Sequence, residues 1–152
     1  MHVSNFKVSG DGRFLFRCAE LTHANVVGVE INEERVEEVR TAIEAQSLER
    51  CNVICENALN LDYKDATVVF LYLIPRGLRL ILPILLAIPH KVRIATYMTP
   101  FPEDMIFMKG SEKVIVHVGD QEVQYPLYLY ETSPASYSDS AQPGFEILKG
   151  AR

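Results

Sequence analysis

The residues best placed to do chemistry are Ser9-Gly10-Asp11-Gly12 and, 18 residues beyond Gly12, Glu30. A glycine pair lets backbone approach a ligand closely, and a helix opening at Arg13 offers unpaired N–H groups there. An acid about 20 residues further on, ending a hydrophobic strand, can accept hydrogen bonds from two ribose hydroxyls. The chemistry implied is nucleoside binding at the first two turns of an α/β sheet. The alternative is a plain strand–turn–helix followed by a surface glutamate.

A dinucleotide fingerprint would carry a third glycine three places after Gly12, where Leu15 stands. That glycine serves helix–strand packing beside a pyrophosphate. S-adenosylmethionine is a nucleoside ligand that has no pyrophosphate and does not require it.

These residues need elements to hold them. Residues 3–8 form a short first strand, and 13–23 a helix with Phe14, Leu15, Cys18 and Leu21 inward. Residues 25–31 read as a strand covered on both faces. Asn32 is an N-cap, Glu33 and Glu34 suit the positive helix end, and Val36, Val39, Ala42 and Ile43 mark the buried stripe of a helix ending near Leu48. Strands follow at 51–55 and 67–73. A helix at 76–88 contains Pro83, and a strand spans 91–98. A hairpin then pairs 114–118 with 123–130 through 119–122, and Pro126 marks a bulge or a weaker strand.

The chain has 152 residues, a net charge of −5 and 48% hydrophobic residues, enough for one domain with a core. An acidic balance disfavours general nucleic-acid binding. Three cysteines, Cys18, Cys51 and Cys55, form no disulfide framework; buried thiols in a reducing compartment fit better. The four histidines form no metal motif, and no metal site is expected. No secretory signal is visible, and the apolar run at 80–89 is far short of a membrane span. An intracellular location, cytoplasmic or mitochondrial, is expected.

Four segments together resemble the class I S-adenosylmethionine-dependent methyltransferases: Ser-Gly-Asp-Gly-Arg-Phe-Leu at 9–15, Gly-Val-Glu-Ile-Asn at 28–32, Glu-Asn-Ala-Leu at 56–59 and Ala-Thr-Val-Val-Phe-Leu-Tyr-Leu-Ile-Pro at 66–75. The last, with Leu78-Arg79-Leu80, Pro83 and Tyr128-Leu129-Tyr130, is similar to a small subgroup that includes mitochondrial protein-lysine N-methyltransferases. The resemblance spans about 3–131. It implies an α/β, Rossmann-like sheet, mostly parallel with an antiparallel C-terminal hairpin and helices on both faces. The methyltransferase-like domain would be 1–131, lacking the family's helix ahead of the first strand, and 132–152 a Ser/Pro-rich tail.

The resemblance also implies roles. Ser9, Gly10, Asp11 and Gly12 would line the methionine and ribose side of S-adenosyl-L-methionine. Glu30 would hold the ribose, Ile31 would pack on adenine, and Asn57 and Ala58 would meet its edge. Leu71 would lie beneath the reactive methyl, and Tyr72, Pro75 and Thr99 would line the substrate, with Tyr72 the one candidate catalytic side chain. The family's glycine motif opens with an acid and then a glycine, where this chain has Phe6 and Val8. That departure implies a weaker hold on the cofactor's ammonium end. The reaction implied is methyl transfer to a protein lysine, so the partner would be a protein. The alternatives are a non-catalytic methyltransferase-fold binding module and a dinucleotide-binding oxidoreductase domain.

Overall fold

A computed structural model describes residues 5–8, by backbone alone, and 12–132. The chain divides into two compact units, Met1–Tyr72 and Leu73–Arg152.

The first unit is β1 (Asn5–Val8), α1 (Arg13–Leu21), β2 (Asn25–Glu30), α2 (Glu33–Ala45), β3 (Cys51–Cys55), a single 3-10 turn (Ala58–Asn60) and β4 (Ala66–Leu71). Its strands are parallel in the order β3-β2-β1-β4. β1 is therefore central, with Phe6 opposite Val26 and Val8 opposite Gly28.

α1 and α2 cover the face of this sheet that presents Val26, Gly28, Cys51 and Val53. Leu15 and Cys18 of α1 pack on Ala24, Val26 and Cys51, while Val36 and Val39 of α2 pack on Val53. Gly28 belongs to this packing: a Cβ there would come within 2.8 Å of Leu15 Cδ1. The inner stripe of α1 is Leu15, Cys18 and Ala19, not the set expected from sequence. Phe14 and Leu21 lie roughly 100° round the helix from it. Leu21 is exposed, and Phe14 instead stacks on Phe70 of β4, with ring centroids 3.9 Å apart.

α2 starts as its sequence demands, with Asn32 Oδ1 accepting from the Arg35 N–H at 3.1 Å. It stops three residues sooner than expected. Ser47 turns left-handed (φ 52°), and the Leu48 N–H reaches back to the Ile43 carbonyl at 3.1 Å. This satisfies a terminal carbonyl and turns Leu48 into the core.

The second unit holds α3 (Pro75–Leu86), β5 (Val92–Tyr97), β6 (Met108–Val118) and β7 (Gln121–Thr132). Pro75 opens α3 from its first turn, where a missing N–H costs nothing. Leu78, Ile81, Leu82 and Leu85 form its buried stripe. β7 runs antiparallel between β5 and β6. The hairpin is longer than expected and its turn is only Gly119-Asp120. The bulge falls between Met108 and Gly110 and not at Pro126. The Pro126 carbonyl accepts from the Met98 N–H at 2.9 Å, so its missing donor points toward the side where β5 has just ended.

Candidate active site

In an open parallel sheet, ligands bind outside the carboxyl ends of the strands. In the first unit these ends bring together Glu30 of β2 and the following Ile31 with Cys55 of β3 and the following Glu56, Asn57 and Ala58. The Glu56 N–H donates to the Glu30 carbonyl at 3.0 Å, and Cys55 Sγ lies 3.9 Å from the Ile31 carbonyl. Cys55 is thus exposed at the strand end, not buried as its spacing from Cys51 suggested.

Glu30 closes β2. Its Oε1 accepts from the Ile31 and Asn32 N–H groups at 2.8 and 2.9 Å. Two backbone donors on one oxygen fix the carboxylate's direction and leave Oε2 for a ligand's hydroxyls. Ile31 follows with 69% of its surface exposed, an apolar platform beside that carboxylate.

Asn57 Oδ1 caps the 3-10 turn by accepting from the Leu59 N–H at 3.0 Å, so an adenine amine would use its second lone pair. The Ala58 N–H has no partner among the described residues, which leaves a backbone donor for a ring nitrogen. Glu56 Oε1 accepts from the Asn57 N–H and from Asn60 Nδ2. Tyr63, in the connection between the 3-10 turn and β4, donates its hydroxyl to the Ala58 carbonyl at 2.8 Å. An aromatic residue in a stretch otherwise of Asp and Lys was the signal available for it.

Gly12 stands at the N-terminus of α1 with φ 82°, and no side chain among the described residues caps that end. The positive φ calls for glycine, and a Cβ at Gly12 would lie 3.0 Å from both Phe16 Cε2 and Val39 Cγ2, so those side chains would also have to give. Ser9, Gly10 and Asp11, and the side chains of Phe6 and Val8, lie outside the described residues.

Of the other expected site residues, Leu71 is buried and can present only backbone. Tyr72 follows β4 and is 53% exposed, more than a core-packing tyrosine would be. Pro75 and Thr99 belong to the second unit. There Met98 takes a left-handed conformation (φ 67°), which is strained for a side chain of that size. The turn it starts is pinned by the Phe101 N–H donating to Tyr130 Oη at 3.0 Å, with the two rings edge to face. Burial pushes the Tyr130 phenol up despite that bond. No metal-binding cluster occurs among the described residues.

The ends of β2 and β3 carry groups that could hold an adenosine: a directed carboxylate, an exposed apolar residue, an N–H unpaired among the described residues and an amide. The chain is similar in structure to an RNA methyltransferase from Salinibacter ruber in complex with S-adenosyl-L-homocysteine. The TM-score is 0.67 at 25% identity, covering 87% of this chain and 81% of that one. An rRNA methylase from Streptococcus thermophilus has the same fold, with a TM-score of 0.58 at 14% identity over 87% of this chain and 89% of that one. The fold is thus the Rossmann-like one of the class I methyltransferases, a mixed sheet with helices. The residues matching a family profile run from 9 to 105, and the chain belongs to the ANTKMT methyltransferase domain family. It is an S-adenosyl-L-methionine-dependent methyltransferase, and the oxidoreductase alternative falls with that membership. A protein-lysine N-methyltransferase of Saccharolobus islandicus (strain REY15A) is 27% identical over 123 residues, 80% of this chain and 73% of that protein. No helix among the described residues is long and apolar enough to cross a membrane.

Proposed function

We propose that the chain methylates the side-chain amine of a lysine in a protein. The likeness to the protein-lysine N-methyltransferase across 80% of this chain carries the reading. The acidic net charge of −5 supports a protein over a nucleic acid as partner.

S-adenosyl-L-methionine, when bound, supplies the methyl group and the leaving thioether. The chain's own residues bind and orient. Glu30 Oε2 takes the ribose hydroxyls, and Ile31 packs against adenine. The Ala58 N–H and Asn57 Oδ1 read the adenine edge. By the resemblance, Ser9, Gly10, Asp11 and Gly12 would line the methionine and ribose side, and Leu71 would contribute backbone beneath the methyl. Tyr72, exposed just after β4, would line the path of the incoming amine. The hydroxyl of Tyr72 accepts a hydrogen bond from that amine and orients its lone pair, a proximity effect.

The test is transfer of radiolabelled methyl from S-adenosyl-L-methionine to a cell extract, followed by protease, ribonuclease and amino-acid analysis. Methyl-lysine in the protease-sensitive fraction is expected. Label confined to ribonuclease-sensitive material would replace a protein substrate by RNA. Cofactor binding with no transfer to either would favour the non-catalytic module.

A further inference from the structure

We propose that Tyr63 is a positioning residue for adenine recognition, holding the Asn57–Ala58 segment in its receptive shape through the bond from its hydroxyl to the Ala58 carbonyl. The inference rests on the reading of Asn57 and Ala58 as the adenine contact.

The segment itself sits at the surface. Glu56, Asn57 and Asn60 are all exposed, and the bonds among them run from one part of the turn to another. The Asn60 N–H closes the turn on the Asn57 carbonyl at 2.9 Å. Such bonds set the local shape of the turn, and the Glu56 N–H on the Glu30 carbonyl ties only its near end to the sheet, ahead of Asn57 and Ala58. Tyr63 supplies a second fixed point. It is 3% exposed, its carbonyl accepts from the Ala66 N–H at the start of β4, and its hydroxyl reaches back five residues to Ala58 at 2.8 Å. The ring is therefore anchored in the core, and its tip holds the peptide that follows the Ala58 N–H.

A phenylalanine would fill the same space, so packing alone does not call for a hydroxyl. Burying an O–H is costly unless it is bonded. Burial pushes the Tyr63 phenol up to about 12, so it stays a donor throughout the physiological range. A displacement of well under 1 Å at Ala58 would blunt a hydrogen bond whose strength falls steeply with angle. The loss would fall on the adenine edge, because the Glu30 carboxylate is held separately, by the Ile31 and Asn32 N–H groups.

The readout is the preference of the full chain for S-adenosyl-L-homocysteine over S-inosyl-L-homocysteine, which carries a carbonyl in place of the exocyclic amine. Both are titrated calorimetrically. The unchanged chain is expected to prefer the adenine form at least tenfold, and Tyr63→Phe to cut that preference at least fivefold. A 4-aminophenylalanine at position 63 keeps a donor at the ring tip and should restore it. An undiminished preference in folded Tyr63→Phe overturns the positioning role while leaving the adenine contact intact. A preference that stays lost in the folded 4-aminophenylalanine variant overturns it as well. No preference in the unchanged chain overturns the adenine contact and the positioning role together.

Discussion

Glu30 gives the sharpest test of the cofactor site. Replacing it with alanine removes the carboxylate whose Oε1 is held by the Ile31 and Asn32 N–H groups and whose Oε2, on the proposed reading, would take the ribose. A hydrogen bond to a charged group contributes about 1.5–3 kcal/mol. At about 1.4 kcal/mol per decade this predicts a dissociation constant for S-adenosyl-L-homocysteine roughly 10- to 150-fold weaker. The effect on folding should be far smaller. The two backbone donors released are at the surface, where water replaces the lost acceptor, and Tm should move by no more than a few degrees. Glu30→Gln separates charge from shape. Its amide oxygen can keep the two backbone bonds while the charge is lost, so its affinity should fall between those of the alanine variant and the unchanged chain. Calorimetric titration with scanning calorimetry on the same samples reads both quantities. An unchanged affinity in a folded Glu30→Ala chain would show that the ribose is held elsewhere and refute the carboxylate argument.

Gly12→Ala should destabilise the chain by about 2 kcal/mol or more, since a left-handed alanine costs about 1–2 kcal/mol and its Cβ would crowd Phe16 and Val39; a lowered urea midpoint checks this. Alkaline pH should unfold the chain progressively. The Cys18 thiol is pushed up from 9.0 to about 11 by burial and by neighbouring Cys51, and the Tyr63 phenol from 10.0 to about 12. Both groups stay neutral in the folded state where the unfolded chain has begun to ionise, so stability is full below about pH 9 and falls between about 9 and 12. Urea midpoints measured across that range should decline, whereas a flat profile would contradict the burial of these groups. Phe6→Asp combined with Val8→Gly should tighten S-adenosyl-L-methionine binding about tenfold by restoring an acceptor for its ammonium group, measured by titration of chains matched for secondary structure by circular dichroism.

Much of this protein was legible in local pattern. Continuous apolar runs gave β2 and β4, and the Asn32-Glu33-Glu34 signal gave the start of α2, because capping and helix periodicity act within a few residues. Glu30 could be placed at a strand end, and Asn57 beside it, from spacing and from resemblance. What one-dimensional pattern could not supply depends on partners distant in sequence. The inner stripe of α1 excludes Phe14 because Phe70 of β4, 56 residues away, offers it a ring to stack on. Gly28, part of an apparent binding motif, is glycine because Leu15 needs the space. Pro126 sits in a long strand without a bulge because β5 ends beside it. Periodicity reports which residues want to be buried; only the assembled chain decides which neighbour buries them, and so which donor or acceptor, such as the Tyr63 hydroxyl beneath Ala58, is left to shape the site.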